Sequence, residues 1–259
     1  MKIANDAATI ERGKHLATAV AVCVDCHGPD LAGKTVFEDP AIGLVQSPNL
    51  TRGKNGYGAQ LSEEDFARVI RYGVMPNGHS ARIMASDDYI NLSDADLAAI
   101  VAYVRQVPPV DSEPYSIVLR PLGTILHALG QLPIDTASRL DRSRYKPDAP
   151  TIGPTVEYGH YLASMSGCEG CHNRNLSGGP ITGGPPGYPE SSNLTSKGEL
   201  AAFTEASFIT TVRTGMNPFG HKLNEVMPSK YYKNMTDDEL KALWAYIKTI
   251  PPKKYADRN

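Results

Sequence analysis

The sequence predicts an all-α fold built twice over, and three observations carry that prediction. The 259-residue chain repeats its own pattern at an offset near 145 positions, and self-similarity at a fixed interval is a statement about architecture. Its apolar residues recur at helical spacing, while the alternating or β-branched runs of strands are not evident. The composition, 41% hydrophobic and 21% charged with a net charge of −2, is that of a folded domain. It carries neither the basic excess of a nucleic-acid binder nor an acidic tail, and no run approaches the roughly 18 apolar residues of a membrane helix.

The repeat sets the domain organisation. Glu11-Arg12-Gly13 with Leu16-Ala17 recurs as Glu157-Tyr158-Gly159 with Leu162-Ala163, and Asn49-Leu50-Thr51 recurs as Asn193-Leu194-Thr195. Arg71, Gly73, Pro76, Gly78 and His79 return as Arg213, Gly215, Pro218, Gly220 and His221. Asp96-Leu97 through Pro108-Pro109 returns as Glu239-Leu240 through Pro251-Pro252. The expected domains are therefore 1–109 and 155–259. Between them, Pro114, Pro121, Pro133, Pro147, Pro150 and Pro154 predict an extended connector over 110–154, with one short apolar helix near Leu122–Leu129.

Within each copy the helices are justified in turn. A first helix, over Thr9–Thr18 and Val156–Ser164, carries a central glycine, Gly13 or Gly159, where propensity penalises it by about 1 kcal/mol. Close crossing of a second helix explains that choice. A middle helix starts at Ser62 and at Thr204 and points Phe66, Val69 and Ile70, or Phe208 and Val212, inward. In the last helix Leu97, Ile100, Val101 and Val104, and Leu240, Leu243, Trp244 and Ile247, fall at i, i+3, i+4 and i+7, one buried stripe. Ser93 and Thr236 cap its start, and Pro108 and Pro251 follow its end.

The four cysteines form two identical arrangements, Cys23-Val24-Asp25-Cys26-His27 and Cys168-Glu169-Gly170-Cys171-His172. Each is C-x-x-C-H, the attachment pattern of a c-type haem. Two thiols one backbone turn apart add to the two vinyl groups of one porphyrin, and the following histidine is then held beneath the ring as an iron ligand. A Cys₄ zinc site wants about 15–20 residues between its pairs, whereas Cys26 and Cys171 stand 145 positions apart. A redox dithiol or a structural disulfide would leave the histidines unexplained. Two covalent haems then supply much of the core that such short domains lack.

Helix with central glycine, C-x-x-C-H, Gly-rich loop, late methionine and amphipathic last helix together resemble the class I cytochrome c family, here in tandem, over nearly everything except the connector. The resemblance is greatest to dihaem cytochromes and to the cytochrome subunits of periplasmic dehydrogenases. It implies that the sixth ligand comes from the loop before the last helix. Met84 and Met227 each precede the first leucine of that helix by 13 residues and are the methionine pair the repeat relates. The implied iron ligands are His27 with Met84 and His172 with Met227. Met227 is followed by Pro228, as the family pattern has it, whereas Met84 is followed by Ala85, with Met75 the nearest rival. His79 and His221 read as loop residues. Arg71 and Arg213 are open to two readings, pairing with a haem propionate or a helix-end surface position, and Asn49, Thr51, Asn193 and Thr195 to a propionate hydrogen bond or the capping of a turn.

Two ligands per iron leave no open position, so the expected function is outer-sphere electron transfer rather than catalysis. The implied partners are a periplasmic dehydrogenase as donor and another cytochrome or an oxidase as acceptor. The alternative is a dihaem enzyme, peroxidase-like or a small-molecule dehydrogenase, in which one iron is open or has a displaceable sixth ligand. Covalent attachment in this family follows export, which implies a periplasmic or extracytoplasmic protein. The N-terminus lacks the order of a signal peptide, so the signal is expected to be absent from this chain.

Overall fold

A computed structural model describes residues 3–184 and 187–257; the outermost bounds expected for the domains, 1 and 259, lie outside them. The chain divides into two compact units, Met1–Pro147 and Asp148–Asn259.

In the first unit α1 (Ala7–His15) starts at Asp6, whose carboxylate accepts the Thr9 N–H at 3.0 Å. It runs into a π turn, Leu16–Val20, in which the Ala21 N–H donates to Leu16 O, five residues back, at 2.7 Å. Ten residues separate Gly13 from Cys23, but nine separate Gly159 from Cys168. The wide turn absorbs that one extra residue, so the helix keeps its register against its neighbour. Then come α2 (Cys23–His27), β1 (Thr35–Asp39), β2 (Gly43–Gln46), α3 (Glu63–Tyr72), α4 (Ser86–Tyr89), α5 (Asp94–Gln106), β3 (Ile117–Leu119) and α6 (Pro121–Ala128). The second unit holds α7 (Val156–Met165), α8 (Cys168–His172), α9 (Glu205–Thr214), α10 (Ser229–Tyr232) and α11 (Asp237–Thr249).

Both units are organised by one helix crossing. A Cβ built on Gly13 would lie 1.8 Å from Ala99 O of α5, and one on Gly159 would lie 1.9 Å from Ala242 O of α11. Backbone meets backbone there, and only glycine leaves room. Around each crossing Leu16, Ala17, Leu97, Ile100 and Val101, or Leu162, Leu240 and Leu243, are buried. Full capping boxes start α3 (Ser62 with Asp65), α9 (Thr204 with Ser207) and α11 (Thr236 with Glu239).

One expectation is corrected. Strands exist: β1, β2 and β3 form an antiparallel sheet in which Phe37 faces Val45, and Val45 faces Ile117. β1 is exposed or half-exposed at every position, so no apolar alternation marked it, and β3, which completes the sheet on the far side of β2, lies about 70 residues beyond β2, outside any local signal. The proline-rich stretch packs on the first unit. It supplies β3 to the sheet and then α6, whose Gly123 sits so close to Ile42 O that a Cβ would fall 2.0 Å from it. The mainly helical class stands beside this small sheet.

Candidate haem centres

Each C-x-x-C-H forms one isolated helical turn, α2 or α8. A left-handed residue precedes it, Val22 at φ 45° in the first unit and Gly167 at φ 79° in the second. The turn sets both thiols and the imidazole on consecutive faces of one short segment. No disulfide joins the four cysteines, and burial pushes the Cys23 thiol up to about 12.

The histidines are oriented by the backbone. His27 Nδ1 lies 3.0 Å from Pro48 O, and His172 Nδ1 lies 2.7 Å from Ser192 O. A carbonyl oxygen can only accept, so Nδ1 carries the proton and the Nε2 lone pair is left as the metal donor. Both rings are buried, and that burial lowers their pKa values, keeping them neutral as ligation requires. The donor chemistry therefore fits a haem: two thiols and an oriented neutral imidazole in each unit. Sequence reasoning missed Pro48 and Ser192, although both stand immediately before the repeated Asn-Leu-Thr.

Met84 and Met227 occupy matching turns. Met84 N–H approaches Ala81 O at 3.4 Å and Met227 N–H donates to Asn224 O at 3.0 Å; Ser86 N–H returns to Met84 O and Ser229 N–H to Met227 O. Ala85 (φ −76°, ψ 46°) and Pro228 (φ −76°, ψ 40°) share one conformation, so alanine holds the shape that proline imposes. Both methionines are half-buried, as is Met75. A second repeat-matched pair, absent from the sequence reading, ties each methionine segment to its attachment turn. Tyr89 OH of α4 donates to Ala21 O at 2.7 Å, and Tyr232 OH of α10 donates to Ser166 O.

The remaining repeat-matched residues brace the scaffold. Arg71 pairs with Asp94 at 2.7 Å and donates to Leu92 O at 2.8 Å; Arg213 pairs with Asp237 at 2.6 Å and donates to Met235 O at 2.7 Å. Asn49 and Thr51 hold Val110 O as Asn193 and Thr195 hold Lys253 O, fixing the chain where it leaves the last helix. His79 and His221 are exposed loop residues whose backbone N–H groups donate to Asn77 and Asn217.

The sequence profile of the cytochrome c family matches residues 10–108 and 156–251. The chain belongs to the cytochrome c family. It is similar to the cytochrome c subunit of a quinone-type alcohol dehydrogenase from Gluconacetobacter polyoxogenes, at 26% identity over 95% of this chain and 57% of the relative. It is similar to the gluconate 2-dehydrogenase cytochrome c subunit of Pantoea cypripedii, at 28% identity over 96% of this chain and 61% of the relative. Against the fructose dehydrogenase cytochrome subunit of Gluconobacter japonicus, identity is 34% over 41% of this chain and 24% of the relative. The cytochrome thus spans less than two thirds of the length of each of these relatives. Two cytochrome c domains carry two covalently bound c-type haems, and their chemistry is electron transfer. Among the described residues no helix is long and apolar enough to cross a membrane.

Proposed function

We propose that this cytochrome carries electrons between extracytoplasmic redox proteins by outer-sphere transfer through two haems, each held between a histidine and a methionine. His27 and Met84 are the ligands in the first domain and His172 and Met227 in the second, with Cys23, Cys26, Cys168 and Cys171 as the thioether anchors. The observation that carries the reading is the equivalence of the two methionine turns: same backbone hydrogen bonds, same conformation at the following residue, same tyrosine tie to the attachment turn. The haem supplies reversible one-electron chemistry when bound. The chain's residues would hold the iron from both sides and keep the imidazole neutral and oriented. With a histidine and a methionine of this chain as its ligands, each iron would offer a small substrate no place, and that would separate a carrier from an enzyme.

The names of the relatives support a dehydrogenase as electron donor, with another cytochrome or an oxidase as acceptor. A net charge of −2 argues against strong electrostatic steering, so these encounters are weak and small in area. Low-temperature electron paramagnetic resonance with near-infrared magnetic circular dichroism on the oxidised holoprotein tests the ligand sets. Two low-spin His/Met centres are expected; a high-spin or bis-histidine component would overturn the carrier reading for that domain.

A further inference from the structure

We infer that residues 133–138, the strap following α6, position the methionine loop of the first haem, and that Ile134 is its principal positioning residue. The inference rests on the reading of Met84 as iron ligand. It starts from a difference between the two copies. Counted back from the methionine, Ala81 stands where the second domain has Asn224, and counted forward, Ala85 stands where it has Pro228. In the second domain the Asn224 side chain accepts the Val226 N–H at 3.0 Å, and Pro228 restricts the residue after the ligand. The loop there is held from within. Alanine offers neither an acceptor nor a fixed φ, so the first loop loses both devices.

The strap supplies what is missing. Ile83, next to Met84, donates its N–H to Ile134 O at 2.7 Å, in place of the side-chain acceptor the second copy uses. Ile83 itself adopts φ 64°, a conformation a β-branched residue enters only when the surroundings hold it there. Ile134 is buried, 3% exposed, and Thr136 beside it is buried too, so the strap is packed down rather than laid over the surface. Asp135 lies 3.4 Å from Arg82 on the loop and 3.4 Å from His127 of α6, whose other ring nitrogen meets Leu132 O at 2.9 Å. α6, strap and methionine loop therefore form one continuous set of contacts. The exposed ion pair is the weaker part of it; the buried isoleucine and its carbonyl are the stronger. The strap thus does for Met84 what Asn224 and Pro228 do for Met227.

The test uses the oxidised holoprotein with both haems attached, and imidazole as a probe that competes for the methionine's place. The weak far-red sulfur-to-iron band reports both sites, and the second haem is the internal reference. In Ile134→Ala, half of the band is expected to disappear at about tenfold lower imidazole, with the other half unmoved; Ile134→Val, which removes one methyl, returns most of the shift. Should Ile134→Ala not retain both haems, Asp135→Asn at its half-exposed site carries the same test with a smaller shift in the same half. Met84→Ala separates the two ideas. A full-strength band there removes the ligand reading, and the strap with it. A halved band, with the strap variants leaving imidazole binding unchanged or shifting both haems together, overturns the strap alone.

Discussion

Replacing Gly159 by alanine pits helix propensity against helix packing in one atom. On propensity alone the change stabilises α7 by about 1 kcal/mol. Here the added Cβ would lie 1.9 Å from Ala242 O, 2.5 Å from its carbonyl carbon and 2.8 Å from Tyr246 Cβ. Two of those three atoms are backbone, so no rotamer relieves the clash. α7 and α11 must part by about 1 Å or more, loosening the packing of Leu162, Leu240 and Leu243. Overpacking of that kind outweighs the propensity gain, and the net expected loss is about 2–3 kcal/mol. For a unit of this size that lowers the melting temperature by about 10–20 °C. Scanning calorimetry of the holoprotein is the assay: Gly159→Ala should depress the second unit's transition, and Gly13→Ala, with its contact of 1.8 Å, the first unit's. A rise of a few degrees in either variant would refute the crossing as the reason for these glycines.

Three further outcomes are expected. Arg71→Met should cost about 2–3 kcal/mol in denaturant titration, chiefly through the Leu92 carbonyl left unpaired beside a buried side chain, Arg213→Met, whose partner Asp237 is exposed, about 1 kcal/mol, and both should leave the haem potentials in place. A large change of potential in spectroelectrochemistry would instead make these arginines propionate ligands. Gly167→Val puts a β-branched residue at φ 79° and should destabilise the second unit by about 1–2 kcal/mol, measured as a shift in denaturation midpoint; an unchanged midpoint would show that the left-handed turn costs nothing. The Asp65 carboxyl is held below its ordinary 3.8 by the Ser62 hydroxyl and then the Ser62 N–H. Its contribution to α3 is fully present above pH 3.8 and fades as pH falls through the lowered value. Asp65→Asn should therefore flatten the acid limb of the first unit's melting curve between pH 3.8 and lower pH, and an unaltered limb would count against the capping box.

What could be read from the sequence was whatever neighbouring residues decide among themselves. The C-x-x-C-H turns, the Ser62 and Thr236 caps, the stripe of Leu97, Ile100, Val101 and Val104, and the glycines of the crossings each announce their role within a few positions. The matching turns at Met84 and Met227 were legible because the repeat supplies a second register to count from. What stayed hidden depends on partners far along the chain. Val45, already paired with Phe37, gains its second sheet neighbour only when Ile117 arrives beside it, and Ile83 finds its acceptor 51 residues away in Ile134. Prolines at 114, 121 and 133 suggested an extended tether, but proline equally opens helices and edges strands, as Pro121 does at the first turn of α6. Arg71 shows the same limit from the other side. A guanidinium advertises an acidic or carbonyl partner without saying which one, and its choice of Asp94 and Leu92 is made by folding.

The wide turn at Leu16–Val20 makes one helix of this protein tolerant of a change in length. A helix interior is ordinarily the worst place to lose a residue, because everything downstream rotates by about 100°. Here the surplus is already confined to a single loop of hydrogen bonds, and the stretch from Gly159 to Cys168 shows the shorter version working. Deleting Thr18 would turn the wide turn into an ordinary one and leave the haem-bearing segment beyond it facing the same way. The duplicated gene halves have in this sense drifted apart in length without drifting apart in aim, and the helix that joins the core to the cofactor is where the difference was stored.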